Sequence, residues 1–260
     1  MSAAIEFRDL CFATPQGRLL LDRISLSVEE GTTVAVLGRS GSGKTTLLRS
    51  VNRMVLPTSG EILIHGKSIG AFDVIKLRRN MGYVIQETGL FPHFTVERNV
   101  GLVLEAAGHF RQDCMRRSHE LLEALGLNPA SFAKRFPHQL SGGQRQRVGL
   151  ARALAADPDF LLMDEPLGAL DPLTRAEMQD MLRGLLSRLK KTTLLVTHDL
   201  NEALYLAHRI ILLDEGKLIA CLEPKEFIAS REPLIEAYVR AFHRGWNDAA
   251  SEIRLPERAV

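Results

Sequence analysis

The run Gly38-Arg39-Ser40-Gly41-Ser42-Gly43-Lys44-Thr45 sets two glycines five positions apart, then a lysine and a hydroxyl, in the order that holds nucleotide phosphates. Glycines let the backbone curl so that successive N–H groups point at one anion. The helical run that follows, Thr46–Val51, would aim the positive end of its dipole at the same place. Lys44 can reach the outer phosphates, the Thr45 hydroxyl suits Mg2+, and Thr46 opens the helix beside them. A glycine-rich turn that merely carries a lysine is the plainer alternative. An apolar strand before the loop and a helix after it favour the phosphate site. Carboxylates come from a second constellation. Phe160-Leu161-Leu162-Met163-Asp164 reads as a buried strand ending in an acid, and Glu165 follows directly. Alone, such a pair reads as a turn or a helix cap. Behind a phosphate loop, Asp164 reads as a ligand to Mg2+ through water, and Glu165 as the general base for an attacking water. The two constellations together predict a nucleoside-triphosphate hydrolase.

These residues need a scaffold that brings strand ends and helix starts to one place. Short strands are predicted at Ile5–Phe12, Leu20–Val28, Thr33–Leu37, Glu61–Ile64 and Met81–Ile85, and residues 1–86 read mainly as strands. Residues 95–155 read as helices, with apolar positions at three- and four-residue intervals in Val100–Leu104 and Leu121–Leu125. Strands return at Phe160–Met163, Thr192–Val196, Arg209–Leu213 and Lys217–Leu222, separated by helical stretches such as Pro172–Leu189 and Asp199–Ala207. Asp171-Pro172 offers a capping carboxylate and a proline at the first helical position. Ser141-Gly142-Gly143-Gln144 and Asp199-Leu200-Asn201-Glu202 both have capping-box spacing. Strands alternating with helices imply an α/β fold with a mostly parallel sheet covered on both faces. The chain is expected to divide into a nucleotide-binding α/β core (1–86 and 158–240), a helical subdomain (87–157) and a polar C-terminal tail (241–260).

Composition excludes several classes. With 260 residues, 45% hydrophobic and 25% charged, the chain can bury a sizeable core. No apolar stretch approaches the roughly twenty residues of a membrane span. The start, MSAAIEFRDL, carries charges where an export signal needs an apolar core, so a cytoplasmic protein is expected. A net charge of +2 gives no reason to expect a nucleic-acid partner. Cys11, Cys114 and Cys221 are scattered, which suggests neither a zinc site nor a disulfide framework.

Leu140-Ser141-Gly142-Gly143-Gln144 lies some twenty residues before Asp164 and resembles the signature of ATP-binding-cassette (ABC) ATPases. The order of elements agrees: phosphate loop, Gln86 after an apolar strand, LSGGQ, Leu161-Leu162-Met163-Asp164-Glu165-Pro166, Ala169-Leu170-Asp171, and His198 after another strand. The likeness covers roughly residues 5–225. It implies a P-loop NTPase core with an N-terminal antiparallel β part and an inserted helical subdomain, binding ATP and Mg2+. It further implies that two copies sandwich two ATPs head to tail. Ser141, Gly142, Gly143 and Gln144 of one copy would then meet the γ-phosphate held by Lys44 of the other, although Ser141 also reads as a plain N-cap. By the same resemblance His198 would bond the γ-phosphate, Asp171 would contact the partner, and Gln86 would approach Mg2+ and report nucleotide state to the helical insertion. Many relatives stack adenine on a tyrosine where this chain has Thr14. Phe12 is the substitute candidate, and core packing is its equal alternative, which leaves the choice of ATP over GTP open.

The stretch Leu77–Val96 and the runs Ser50-Val51-Asn52-Arg53-Met54 and Pro57-Thr58-Ser59-Gly60-Glu61 are similar to ATPase subunits of glycine betaine/choline (osmoprotectant) importers. Leu90, Phe91, Phe94 and Val96 gather near Pro92, either as a groove for a helix of another protein or as the insertion's own core. The implied partners are a second ATPase subunit, transmembrane permease subunits and, indirectly, a periplasmic or surface solute-binding protein. The implied location is the inner face of the cell membrane. Amino-acid or lipid transport, and a non-transport role such as iron–sulfur assembly, are the alternatives. Many such relatives carry a paired regulatory module, so here regulation is expected to be absent or to come from elsewhere.

Overall fold

The computed structural model describes residues 3–86 and 88–252, with side chains through residue 242. In chain order the elements are β1 (Ala3–Ala13), β2 (Leu19–Glu29), β3 (Thr33–Gly38), α1 (Lys44–Val51), β4 (Ser59–Ile64), β5 (Lys67–Ser68), α2 (Val74–Arg79), β6 (Met81–Val84) and α3 (Val96–Ala106). There follow α4 (Arg111–Ala124), α5 (Pro129–Phe132), α6 (Gly142–Leu154), β7 (Phe160–Asp164), α7 (Pro172–Leu189), β8 (Thr192–Val196) and α8 (Leu200–Leu206). The chain closes with β9 (Arg209–Asp214), β10 (Lys217–Leu222), α9 (Pro224–Ala229) and α10 (Pro233–Glu252).

Two sheets form. The larger has the order β10-β9-β3-β8-β7-β6, parallel throughout except for β10, which returns antiparallel to β9. Its central strands β3, β7 and β8 are buried along their whole length, as continuous apolar runs such as Thr33–Gly38 require when both faces are covered. The smaller sheet, β2-β1-β4-β5, is antiparallel. Alternation along β7 and β8 divides the core. Phe160, Leu162, Leu194 and Val196 face a cluster shared with α1 and the antiparallel sheet. Leu161, Met163 and Leu195 face the opposite way, into a cluster shared with α3, α4, α6 and α7. A third cluster packs α8, Phe227 of α9 and Ile235 of α10 on Ala35, Leu37, Ile210 and Leu212. The α/β class with a mostly parallel sheet is therefore the observed one, and α3–α6 occupy the connection between β6 and β7.

Three local expectations change. Residues 74–79 form the short helix α2, started by Asp73, whose Oδ1 accepts from Ile75 N at 3.0 Å and Lys76 N at 2.9 Å. The Asp199–Glu202 capping box is only half made. Asp199 caps α8, but Glu202 turns inward and does not reach back. The stretch read as a polar tail from 241 begins as helix, because α10 runs to Glu252. Residues 253–260 lie outside the described residues. Among the described residues no helix is long and apolar enough to cross a membrane.

Candidate functional site

The loop between β3 and α1 is shaped by two glycines. A Cβ on Gly38 would sit 2.2 Å from Leu213 O, and Gly43 combines φ 101° with a carbonyl, Leu20 O, 2.4 Å from where a Cβ would lie. Neither position tolerates a side chain, so the loop stays curled against β9 and β2. Lys44 opens α1 and is 7% exposed. Its Nζ donates to Gly38 O and Arg39 O, each at 2.8 Å, strapping the loop from inside. Burial lowers the Lys44 pKa, and the nearby charges of Glu165 and Asp164 pull it partly back up. Ser42 Oγ is buried with no partner. An open cavity of about 390 Å³ lies over the loop, lined among others by Ser40, Gly41, Lys44, Thr45, Thr46, Glu165 and His198.

Asp164, at the end of β7, and Glu165 face this loop by different means. Asp164 Oδ1 accepts from Thr45 Oγ1 at 3.0 Å. Glu165 has φ 47°, a left-handed conformation that costs a non-glycine residue about 1–2 kcal/mol. Its backbone N–H donates to Val196 O at 2.9 Å, closing the turn that swings the carboxylate out of the strand's alternation. Glu165 Oε2 then accepts from Gln86 Nε2 at 3.2 Å and lies 3.2 Å from His198 Nδ1. Gln86 thus meets Glu165 rather than the Thr45–Asp164 pair. Thr45 and Asp164 offer hard oxygen atoms on converging side chains, a donor set that fits Mg2+ completed by phosphate oxygens and water.

Two residues at this site escaped the sequence reading. Arg49 Nη2 lies 3.6 Å from Asp164 Oδ2 and its Nε donates to Tyr83 Oη at 3.2 Å, while Tyr83 Oη approaches Asp164 Oδ2 at 3.5 Å. Arg49 is four residues after Thr45 on α1, the helical spacing that puts both on one face. That spacing was the available signal. Tyr83 had none, since it reaches Asp164 only through the β6–β7 pairing. Phe12 is half-buried against the main core and is not among the residues lining the cavity.

The signature residues stand apart from that cavity. Ser141 caps α6, accepting from Gln144 N at 3.3 Å while Gln144 Oε1 accepts from Ser141 N at 3.0 Å. Asp171 caps α7 through Thr174 N at 3.0 Å. Gly143 lets these two helix starts pack, since a Cβ there would lie 2.6 Å from Thr174 Cγ2, whereas one on Gly142 would make ordinary contact with Leu170 Cδ2 at 3.6 Å. Ser141 and Asp171 are exposed. The apolar group near Pro92 divides. Val96 is buried and Leu90 half-buried in the helical cluster, whereas Phe91 stays 42% exposed. Buried Asn99 stitches the segment, accepting from Phe91 N at 2.7 Å and donating to the carbonyls of Phe91, Phe94 and Thr95.

Behind His198, Glu202 is 3% exposed; its Oε2 accepts from Thr197 Oγ1 at 2.8 Å and its Oε1 has no partner. Burial pushes its pKa from 4.5 up to about 7. The folded state therefore holds this proton to higher pH than the unfolded chain. Stability from this group is full below the ordinary carboxylate pKa and is lost as pH rises through about 7. Glu202→Gln is expected to remove a pH-dependent loss on the order of 3 kcal/mol between about pH 4.5 and 8. Urea unfolding of both proteins across that range measures it, and parallel stability curves would contradict the inward, protonated Glu202.

Comparison with known proteins agrees with this geometry. A profile of the family described as "ABC transporter" matches residues 21–168, more than half of the chain. The osmoprotectant import ATP-binding protein OsmV of Salmonella typhimurium is 46% identical over 209 residues, which are 80% of this chain and 55% of that protein. The glycine betaine uptake system ATP-binding protein YehX of Escherichia coli is 48% identical over 196 residues, 75% of this chain and 63% of that protein. The chain spans little more than half the length of the curated relatives it matches. Among solved structures, a dimeric ATP-binding cassette in a post-hydrolysis state with ADP and Pi has TM-score 0.75 and 33% identity, covering 85% of this chain and 98% of that one. The structure of cbiO1 from Clostridium perfringens, part of an ABC transporter complex, has TM-score 0.81 and 27% identity, covering 96% of this chain and 100% of that one. A phosphate loop, a carboxylate pair and a separate glycine-rich helix start on a matching fold lead to one conclusion: this chain belongs to the ABC transporter family, as an ATP-binding cassette.

Proposed function

We infer that the chain is the ATP-hydrolysing subunit of an importer for small quaternary-amine osmoprotectants such as glycine betaine or choline, working through separate membrane subunits. The convergence of Gln86 and His198 on Glu165 Oε2, beside the Lys44 loop, carries the hydrolytic part. The loop amides and Lys44 hold the outer phosphates of ATP. Thr45 and Asp164 are the residues that would hold Mg2+, which would supply positive charge against the phosphates. Glu165 accepts a proton from the attacking water, and His198 orients that water against the γ-phosphate. Gln86 leads from this site to the Phe91–Val96 segment of the helical region.

Ser141 and Asp171 are exposed and lie outside the lining of the cavity. A second copy, placed head to tail, brings its own Ser141, Gly142 and Gly143 to the γ-phosphate as additional hydrogen-bond donors. Two ATPs then close the pair, the helical regions move with it, and docked membrane subunits are pulled between their states. Hydrolysis removes the bridging charge and the pair opens. Only the binding energy that differs between open and closed forms drives this. The names of the relatives support the solute class. Uptake of radiolabelled glycine betaine into vesicles holding the chain with its membrane subunits is the test. ATP-dependent uptake that vanishes with Glu165→Gln is the expected result. ATP hydrolysis without uptake of any quaternary amine would overturn the solute assignment.

A further inference from the structure

Arg175 sits one turn into α7, its backbone N–H donating to Asp171 O at 2.9 Å. Its guanidinium reaches two ways. Nη2 donates to Leu170 O at 3.0 Å, on the turn that carries Asp171. Nη1 lies 3.6 Å from Asp199 Oδ2, with the two side chains 32% and 20% exposed. Asp199 follows His198 directly, and its Oδ1 caps α8 by accepting from Asn201 N at 2.9 Å and Glu202 N at 3.3 Å. On the other side of His198, the Thr197 hydroxyl accepts from Asp199 N at 3.0 Å and donates to Glu202 Oε2 at 2.8 Å. Both neighbours of His198 are thus fixed to the start of α8, and Arg175 holds that start to the Asp171 turn. The third guanidinium nitrogen, Nε, is buried with no partner. The side-chain hydrogen bond and ion pair that Arg175 does make both go to turns carrying proposed site residues.

The geometry points to Arg175 as a positioning residue that ties the Asp171 turn to the His198 turn, so that displacement of the first reaches the imidazole opposite Glu165. This rests on the roles proposed above for His198 and Glu165. A planar fork suits the task, because it engages a carbonyl and a carboxylate at once from one rigid group. A lysine ammonium keeps the charge but cannot span both acceptors in that geometry.

Steady-state ATP hydrolysis and calorimetric ATP affinity of the full chain test the tie in Arg175→Lys, Asp199→Asn and the double variant. Asparagine retains the cap on α8. Each single substitution is expected to lower kcat about tenfold, with KM and ATP affinity within about twofold of the parent. The double variant is expected to be no worse than the poorer single one, since both remove one connection. Parental kcat in Arg175→Lys, or losses that multiply in the double variant, would overturn the tie. So would ATP affinity falling in step with kcat, which marks a disturbed phosphate site instead. If Arg175→Lys does not fold, Arg175→Gln takes its place with the same expectations. Glu165→Gln run in parallel separates the two levels. Parental hydrolysis there removes Glu165 as the base on which the proposal rests, whereas an inactive Glu165→Gln beside a fully active Arg175→Lys removes the tie alone.

Discussion

Glu165→Gln is expected to slow ATP hydrolysis about a hundredfold to a thousandfold while ATP remains bound. The substitution changes little besides basicity. Glutamine is no better suited than glutamate to φ 47°, so the backbone strain is carried over and the turn that presents the side chain is kept. An amide oxygen still accepts from Gln86 Nε2, as Glu165 Oε2 does now at 3.2 Å. What is lost is the group proposed to take a proton from water as the phosphorus–oxygen bond forms. With the γ-phosphate intact, the charge proposed to join two copies persists, and the variant should accumulate as an ATP-held dimer. Single-turnover hydrolysis together with sedimentation in ATP measures both effects. Turnover at the parental rate would remove Glu165 as the base.

Lys44→Ala is expected to weaken ATP binding about ten- to a hundredfold, the worth of a charge-assisted hydrogen bond or two. The substitution also withdraws the donor that Gly38 O and Arg39 O share, so the loop itself loses its internal strap. Calorimetry with ATP reads the affinity directly, and an unchanged value would count against the phosphate-loop assignment. Ser141→Arg should abolish hydrolysis differently, by filling the place where a second copy's phosphate approaches in the proposed pair. Mixing the two inactive variants is then informative. In a mixed pair, one composite site combines the intact Lys44 of the second variant with the intact Ser141 of the first. Activity should return in the mixture above that of either variant alone. A mixture as inactive as its components would remove the support for a shared site.

The candidate site was legible in the sequence wherever its geometry follows from near neighbours. The phosphate loop needs glycine, lysine and threonine in one short run, and β3 and α1 flank it as expected. The caps of α6 and α7 were readable because a capping side chain bonds a backbone N–H three residues on. Other features depended on distance. Thr45 and Asp164 are 119 positions apart, and Tyr83 and Asp164 are 81 apart. Each pair meets only because β6, β7 and β3 take their places in one parallel sheet. Glu202 had capping-box spacing, yet burial and the hydrogen bond from Thr197 Oγ1 took its carboxylate away from the helix start.

Alone, the amino-acid order determined which groups were available for phosphate chemistry, which of the longer segments were strand or helix, and where α6, α7 and α8 began. These properties rest on interactions within about four residues, and such interactions are written in the order itself. Tertiary structure decided that Gln86 and His198 share one oxygen of Glu165, that Phe91 stays outside while Val96 goes in, and that Arg175 spans two turns. Strand register and the competition for a limited interior set those outcomes, and neither is local to any stretch of the chain.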